Sequence, residues 1–255
     1  MDNLFDLTGR VAVVTGASSG LGADAARAYA GQGADVALLA RRVEKLKTVA
    51  DEIAATGRKV LVVGCDVTDE EQVRKAIGQV VARFGKIDIL LNNAGVAVPG
   101  TVEQLTTDEW DKEMNTNVRG AYLVCKYVVP HMRERRYGKI VNISSVNALI
   151  ADKSPLLARH VYNASKAAVL GLTIGMAASY GVTVDAVCPG LFESEMTEDT
   201  LFKNEEFMRM YNFTDPMSRP GRRGELNGTI LYFSSDASSY VTRQHVVVDG
   251  GASIV

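Results

Sequence analysis

Short, nearly continuous apolar runs recur along the chain, and segments of helical length and composition separate them. The runs lie at residues 11–14, 36–39, 60–63, 87–91, 139–143, 182–187 and 245–248. They do not alternate apolar and polar residues, so they are typical of strands covered on both faces, as in a parallel sheet. Helices are predicted over residues 21–31, 43–55, 69–84, 108–135 and 162–180. This order predicts an α/β fold with a doubly wound, seven-stranded, mostly parallel sheet flanked by helices.

The alternation breaks between residues 191 and 223, where helix-like pieces replace a direct connection. No linker rich in Pro, Ser or Gly, no internal repeat and no block of like charge divides the sequence. We therefore predict a single domain over residues 1–255, with one insertion at about residues 191–223. The insertion is rich in Met and aromatic residues, which favours a flap over a bulky apolar substrate. Acidic residues lie between them, so an amphipathic helix packed on the domain or on a second subunit is an equal alternative.

Composition and charge exclude several classes of protein. Apolar residues make up 47% of the chain and charged residues 23%, which excludes a disordered chain. With 28 Lys and Arg against 30 Asp and Glu, the net charge of −2 argues against a nucleic-acid partner. No apolar run is long enough to span a membrane, and the first residues are acidic where a signal peptide is basic. The three cysteines form no CxxC pair and the three histidines no metal-binding array, so we expect a reduced, cytoplasmic protein without a metal site.

A glycine-rich turn follows the first predicted strand and precedes the first predicted helix. It reads Thr15-Gly16-Ala17-Ser18-Ser19-Gly20-Leu21-Gly22. Glycines permit a tight turn and let backbone N–H groups approach a pyrophosphate that lies on the helix N-terminus. Glycines also simply end strands, but the strand–turn–helix context favours dinucleotide binding in a Rossmann-like domain.

The residues after the second predicted strand indicate which dinucleotide is bound. In such folds an acid at this point binds the ribose 2′-hydroxyl of NAD, whereas an arginine accommodates the 2′-phosphate of NADP. Here Arg41 and Arg42 follow the strand. A solvated basic pair is the alternative, but two cations at a helix N-terminus oppose the helix dipole. We therefore predict a preference for NADP(H) over NAD(H), with Arg41 as the principal contact and Arg42 as the secondary one.

Polar side chains also follow the third and fourth predicted strands. Asp66 is placed either to accept a hydrogen bond from an adenine amino group or to cap the next helix, and the two roles are equally favoured. Asn92 and Asn93 are expected to tie neighbouring strand ends together, and Gly95 lets the backbone approach the cofactor.

Tyr162 and Lys166 lie four residues apart at the start of a predicted helix, so both side chains are on one face. A tyrosine hydroxyl ordinarily has a pKa of about 10. A neighbouring ammonium favours the tyrosinate, so we expect Lys166 to lower the pKa of Tyr162 toward a range useful to a general base. Such pairs are also common on surfaces, and this pair alone is a weak signal. Ser144 and Ser145 end the fifth predicted strand, where alternation turns only one of them toward the site.

In order and spacing, these motifs resemble those of the classical short-chain dehydrogenase/reductase family. The resemblance covers residues 7–251 and rests on five motifs. They are Thr15-Gly16 with Gly20 and Gly22, Asn92-Asn93-Ala94-Gly95, Ser145, Tyr162 with Lys166, and Pro189-Gly190. Tyr162 follows Ser145 by 17 residues, more than is usual in the family, so a longer loop should border the substrate.

The resemblance implies a role for each matching residue. Tyr162 is the implied general acid and base, Lys166 holds the nicotinamide ribose, and Ser145 binds the substrate oxygen. Asn117 supports a proton-relay water or is a mere helix irregularity, and Ser194 binds the nicotinamide carboxamide or is an ordinary helix cap. The resemblance and the motifs together imply these cofactor contacts: Gly16, Ser18, Ser19, Gly20, Leu21, Gly22, Arg41, Arg42, Asp66, Val67, Asn93, Ala94, Gly95, Tyr162, Lys166, Pro189, Gly190 and Ser194.

The implied function is reversible hydride transfer between NADP(H) and a carbonyl or secondary alcohol of a small-molecule substrate. The Met-rich insertion favours a bulky hydrophobic or steroid-like substrate. The family resemblance equally permits reduction of a 3-oxoacyl carrier-protein substrate or oxidation of a sugar acid. A dinucleotide-binding sensor or scaffold is the non-enzymatic alternative, although such proteins usually lose the Tyr, Lys or Ser. The resemblance also implies a homotetramer, or else a homodimer.

Overall fold

The computed structural model describes residues 3–151 and 157–254. Its strands are β1 (Val11–Thr15), β2 (Asp35–Ala40), β3 (Val60–Gly64), β4 (Ile89–Asn92), β5 (Lys139–Ile143), β6 (Thr183–Pro189) and β7 (His245–Val248). They form one seven-stranded sheet in the order β3-β2-β1-β4-β5-β6-β7, and every neighbouring pair is parallel. The predicted doubly wound, Rossmann-like sheet is confirmed.

Helices cover both faces of this sheet. They are α1 (Gly20–Gly31), α2 (Val43–Ala54), α3 (Glu70–Phe84), α4 (Thr107–Met114), α5 (Gly120–Arg135), α6 (His160–Ala177), α7 (Glu195–Thr197), α8 (Glu205–Thr214) and α9 (Asn227–Ser234). Alternate residues of β1 enter different cores: Ala12 and Val14 pack with α1, α2 and α9, while Val11 and Val13 pack with α3, α5 and α6. Because both strand faces are buried, the strands are apolar without alternation.

The predicted helix over residues 108–135 is interrupted. A π-helical turn over Asn115–Arg119 separates α4 from α5. The apolar periodicity continues through the turn, so it could not be located from the pattern of apolar residues. Such π-turns frequently mark functional sites, and this one contains Asn117.

Residues 191–223 form short helical pieces between β6 and α9. They comprise α7, a π-helical turn over Glu198–Phe202, and α8. An isolated bridge between Phe192 and Gly221 joins the two ends of this segment, which we call the flap. None of the described side chains of α8 is fully buried, and Phe213 is 89% exposed. Helix α8 therefore lies outside the two cores, whereas Phe192 at the start of the flap packs in one of them.

Three features of the sequence can be compared with the described residues: the cysteines, long apolar helices and clusters of metal-ligating side chains. Cys65, Cys125 and Cys188 are buried free thiols. Within residues 3–151 and 157–254, no helix is long and apolar enough to cross a membrane. In the same part of the chain, no three His, Cys, Asp or Glu side chains are grouped so as to hold a metal ion.

Candidate active site

A cleft of about 380 Å³ opens at the carboxyl ends of the strands, where the strand order reverses between β1 and β4. Sheets of this type bind ligands there because the loops leave the sheet in opposite directions. Every predicted cofactor contact except Gly22 lines this cleft, and so does Ser145. Sequence reasoning missed these other lining residues: Leu39, Ala40, Cys65, Val96, Thr116, Ile143, Ser144, Phe192, Glu195 and Thr197.

The glycine-rich turn connects β1 to α1 as predicted. Gly16 and Gly20 have φ angles of +66° and +54°, which side chains larger than hydrogen rarely adopt. A Cβ atom on Gly22 would lie 2.4 Å from Asn93 Nδ2 and 2.6 Å from the Gly16 carbonyl oxygen. Gly22 therefore lies behind the wall of the cleft, where it lets α1 pack closely against the turn. The N-terminus of α1 then faces the cleft, which suits a phosphate.

The asparagine pair joins strand ends as predicted. The side-chain amide of Asn92 donates to Asn142 Oδ1 of β5 at 2.9 Å. That of Asn93 donates to the Thr15 carbonyl oxygen of β1 at 3.0 Å. The Thr15 hydroxyl in turn accepts from the backbone N–H groups of Asn93 and Ala94 at 3.0 and 3.1 Å. These bonds hold the floor of the cleft at the point where the strand order reverses.

The two arginines after β2 point to different partners. The Arg42 guanidinium donates to the hydroxyls of Ser18 and Ser19 at 3.0 and 2.8 Å, so it packs over the glycine-rich turn. Its Nη1 also lies 2.7 Å from Glu195 Oε2, on the flap. Arg41 has fewer contacts, and 70% of its side chain is exposed. Both line the cleft, and their binding of a 2′-phosphate stays a prediction.

Asp66 faces Arg41 across the ends of β2 and β3. Its Oδ2 lies 3.8 Å from Arg41 Nη1, and its Oδ1 accepts from the backbone N–H and hydroxyl of Thr68 at 3.0 and 2.8 Å. The alternative that Asp66 caps the following helix is wrong. Asp69 is the N-cap of α3 and accepts from the backbone N–H of Glu71. Asp66 instead closes a local turn beside Val67 and lines the cleft.

Glu195 is a cleft residue that the sequence did not reveal. Its carboxylate contacts the Lys45 ammonium as well as Arg42. These two cations lower the pKa of Glu195 to about 2, with Lys45 the larger cause. Glu195 follows Arg42 by more than 150 residues, and nothing in the local sequence signals this pairing. The flap is thus held to the N-terminus of α2, beside the glycine-rich turn.

The two serines after β5 point in opposite directions, as alternation predicts. The Ser144 hydroxyl is buried and donates to the backbone carbonyl of Lys166 at 2.8 Å. The Ser145 hydroxyl accepts from the backbone N–H of Asn147 at 3.1 Å and interacts with the Tyr162 hydroxyl. Ser145 is therefore the serine beside the tyrosine. The longer loop expected before Tyr162 lies partly in residues 152–156, outside the described residues.

Tyr162 and Lys166 share one face of α6, but their pKa relation differs from the prediction. Burial raises the pKa of Tyr162 to about 12, although Ser145 acts to lower it. Burial also lowers the pKa of Lys166 to about 8. The expected lowering of the Tyr162 pKa by Lys166 is wrong for this structure because desolvation of the hydroxyl dominates. The Lys166 ammonium donates instead to the Ile143 carbonyl oxygen at 2.9 Å.

Asn117 lies within the π-helical turn and is 2% exposed. Its side-chain amide donates to the Val96 carbonyl oxygen and to the Ser165 hydroxyl, both at 2.9 Å. Its Oδ1 accepts from the Val96 backbone N–H at 2.8 Å. Asn117 thus joins α6 to the cleft-lining Val96, and a proton relay through it stays a prediction. The helix irregularity and the predicted functional position coincide in the same residue.

The end of β6 brings Pro189, Gly190 and Ser194 to the cleft. A Cβ atom on Gly190 would lie 2.6 Å from Asp249 Cβ, so only glycine fits there. Ser194 is the N-cap of α7, and its hydroxyl lies 3.0 Å from Thr197 Oγ1. The alternative reading of Ser194 as a helix cap is therefore confirmed, and its contact with a nicotinamide stays a prediction.

Comparison with known proteins agrees with this geometry. A model of the short chain dehydrogenase family matches residues 10–205. Over 255 residues the chain is 39% identical to gluconate 5-dehydrogenase of Gluconobacter oxydans (strain 621H), covering 99% of this chain and 98% of that protein. Over 253 residues it is 36% identical to a 3-oxoacyl-(acyl-carrier-protein) reductase of Thermotoga maritima, covering 97% and 99% respectively.

A solved structure has nearly the same backbone. Gluconate 5-dehydrogenase from Burkholderia cenocepacia J2315, in complex with NADP and tartrate, superposes with a TM-score of 0.93 at 35% identity. The match covers 99% of this chain and 98% of that chain. The chain therefore belongs to the short-chain dehydrogenase family, whose members are oxidoreductases that act on CH–OH groups with a nicotinamide dinucleotide.

Proposed function

We propose that this protein is an NADP(H)-dependent oxidoreductase that interconverts a secondary alcohol and a carbonyl. The observation that carries the proposal is the convergence of Ser145, Tyr162 and Lys166 in a cleft that also contains the glycine-rich turn and the Arg41–Arg42 pair. A phosphate-binding turn and an acid–base group in one cleft are the two halves that hydride transfer requires.

The residues present fit a nicotinamide dinucleotide. Gly16 and Gly20 line the cleft in backbone conformations that favour glycine, so backbone can approach a pyrophosphate there, and Gly22 lets α1 pack closely behind the turn. Arg41 and Arg42 supply positive charge for a 2′-phosphate beyond β2. When bound, such a cofactor supplies or accepts the hydride. The NADP in the Burkholderia cenocepacia structure supports the choice of the phosphorylated form.

The chain's own residues handle the substrate oxygen and its proton. In reduction, the Tyr162 hydroxyl donates a proton to the carbonyl oxygen as the carbonyl carbon gains the hydride, and in oxidation both steps reverse. The Ser145 hydroxyl, which already interacts with Tyr162, donates a hydrogen bond to that oxygen. The Lys166 ammonium lies 5.4 Å from the Tyr162 ring centre, on the same face of α6, and it lines the cleft where the nicotinamide ribose would lie.

A hydroxy acid is the substrate class we favour. The 39% identity to gluconate 5-dehydrogenase of Gluconobacter oxydans supports it. Tartrate in the Burkholderia cenocepacia structure is also a hydroxy acid. The steroid-like preference expected from the flap receives no support from the relatives. The exposure of Phe213 at 89% and Met217 at 58% also leaves much of the flap's apolar surface outside the cleft.

A 3-oxoacyl carrier-protein substrate is the second candidate. The 36% identity to the Thermotoga maritima reductase favours it. The reaction at the carbonyl carbon is the same for both candidates, so they differ only in what holds the rest of the substrate. An acyl thioester should compete with a sugar acid for the site if this candidate is correct.

Activity of wild-type protein and of Tyr162→Phe tests the proposal. Initial rates are measured from the absorbance of NADPH, as its formation from NADP⁺ with gluconate and as its consumption with a 3-oxoacyl thioester or a steroid ketone. We expect the fastest turnover with the sugar acid and a loss of about 100-fold or more in kcat for Tyr162→Phe. Tyr122→Phe, which removes a hydroxyl from the exposed face of α5, is the matched control and should retain the wild-type rate.

Other outcomes separate the alternatives. Near wild-type turnover of Tyr162→Phe would refute the role of Tyr162. NADPH binding without turnover of any substrate would favour the sensor or scaffold. The expected homotetramer is a further proposal, which sedimentation velocity of the purified protein tests.

A further inference from the structure

Glu113 is a buried acid that the mechanism above does not use. It lies in the last turn of α4 with no exposed surface. Neither carboxyl oxygen has a hydrogen-bond partner in the described part of the chain. The backbone N–H of Val98 is close enough to lower its pKa somewhat, but without the geometry of a hydrogen bond. A buried carboxyl group in this position is costly, so its presence calls for a reason.

The groups that face Glu113 belong to the catalytic helix. Lys166 of α6 and Arg159, the N-cap residue of α6, interact with its charge favourably, and Tyr162 of α6 unfavourably. Helix α4, which carries Glu113, packs against α6, which carries Lys166. A Cβ atom on Gly95 would lie 3.2 Å from Asn117 Oδ1 and 3.5 Å from Lys166 Nζ, so both groups lie close to the Gly95 backbone.

Lys166 has few other groups to support its charge. The residue is 4% exposed, and its ammonium donates a hydrogen bond to the Ile143 carbonyl oxygen. Burial brings its pKa down to about 8, and the Glu113 carboxylate is the first of the charges that act against this. Cys188 of β6 is the other, and burial raises the pKa of that thiol. Glu113 is therefore the carboxylate that opposes loss of the ammonium proton.

We propose that Glu113 is a positioning residue whose carboxylate keeps Lys166 in its ammonium form. The proposal rests on the proposed function, since it matters for catalysis only if Tyr162 and Lys166 work as described. The burial of Glu113 behind the cleft explains how it acts without touching a substrate. Burial raises the pKa of Glu113 itself to about 7, which lies below the value of about 8 for Lys166.

The test measures the pKa of Lys166 directly, without cofactor or substrate. Lysine labelled with ¹³C at Cε is incorporated, the Lys166 signal is assigned with Lys166→Arg, and its chemical shift is followed with pH. In Glu113→Gln, we expect the Lys166 pKa to fall by about one unit, the size of a charge interaction across several ångströms of protein. Asp111→Asn removes an equal charge from the exposed side of α4 and should leave the Lys166 pKa unchanged.

Glu113→Met guards against a folding artefact. It removes the charge while leaving an apolar side chain of similar length, so it should fold at least as stably as the wild type. We expect the same fall in the Lys166 pKa. An unchanged Lys166 pKa in both folded Glu113 variants would overturn the proposal. So would an equal fall in Asp111→Asn.

The pH dependence of activity then connects the pair to catalysis. If Lys166 must be an ammonium, the alkaline limb of kcat/KM moves about one pH unit lower in Glu113→Gln and stays in place in Asp111→Asn. A shifted Lys166 pKa with no turnover by the wild type would refute the proposed function but not the pairing. Turnover that depends on Tyr162, with an unshifted Lys166 pKa, would refute the pairing alone.

Discussion

Replacing Arg41 with alanine should change how strongly the protein prefers NADPH to NADH. Arg41 and Arg42 both line the cleft, but the structure leaves them in different states. Arg42 already donates to Ser18 and Ser19 and lies 2.7 Å from Glu195, so binding a phosphate would exchange existing contacts for new ones. Arg41 is 70% exposed, and its Nη1 lies 3.8 Å from Asp66 Oδ2, a contact too long to be a hydrogen bond.

The expected magnitude follows from these contacts. A hydrogen bond to a charged group contributes about 1.5–3 kcal/mol when its partner is otherwise free, and every 1.4 kcal/mol is roughly tenfold in affinity. Arg41→Ala should therefore lower kcat/KM for NADPH by about 10- to 150-fold, while leaving kcat/KM for NADH within about twofold. Arg42 would gain less from a phosphate, because it would give up its exposed contacts with Ser18, Ser19 and Glu195. Arg42→Ala should therefore lower kcat/KM for NADPH by less than about fivefold.

The assay compares initial rates with the two cofactors at saturating substrate, and fluorescence titration gives the dissociation constant of NADPH. Arg42→Ala is the matched control, since it removes the same charge one residue away. Thermal unfolding verifies that both variants remain folded. An equal loss of kcat/KM with NADPH and NADH in Arg41→Ala would refute the reasoning. A larger loss in Arg42→Ala than in Arg41→Ala would do so as well.

Three further outcomes concern buried groups. Asp88→Asn should lower the free energy of unfolding in urea by about 3 kcal/mol, because the buried carboxylate binds Arg135 at 2.8 Å. A loss below about 1 kcal/mol would contradict this. Gly22→Ala should weaken NADPH binding at least tenfold, since a Cβ atom would lie 2.6 Å from the Gly16 carbonyl oxygen, and unchanged binding would contradict this. The pKa of Glu113 is raised from 4.5 to about 7, so the free energy of unfolding should fall as pH rises across this range. Urea denaturation of Glu113→Met should lack this pH-dependent fall.

The sheet and the polar ends of its strands could be predicted from local sequence. The strand runs are apolar because both faces are covered, and glycine or asparagine follows a strand wherever the backbone must turn or be tied. These requirements act within a few residues, so the glycine-rich turn, the Asn92–Asn93 pair and the opposite directions of Ser144 and Ser145 could be predicted before the fold was known, whereas the choice of Ser145 came from the family resemblance.

The position of the helix interruption at Asn115–Arg119 could not be predicted from the apolar pattern. The residue that caps α3 could not be predicted either. A π-turn leaves the apolar periodicity on both sides intact. Asp66 and Asp69 are both suited to cap α3, and the chain path selects Asp69. Here several local solutions are close in free energy, and packing decides between them.

The charges in the site depend on tertiary structure alone. Local sequence places Tyr162 and Lys166 on one face of α6, but the direction of their pKa shifts depends on burial by elements far along the chain. The electrostatic interaction of Glu113 with Lys166 and the ion pair of Glu195 with Arg42 likewise join residues that are far apart in the sequence. Residue type and spacing determine which groups can bind or transfer a proton, because these are properties of a few bonded neighbours. Desolvation and charge–charge interaction are properties of three-dimensional surroundings, so only the folded chain sets them.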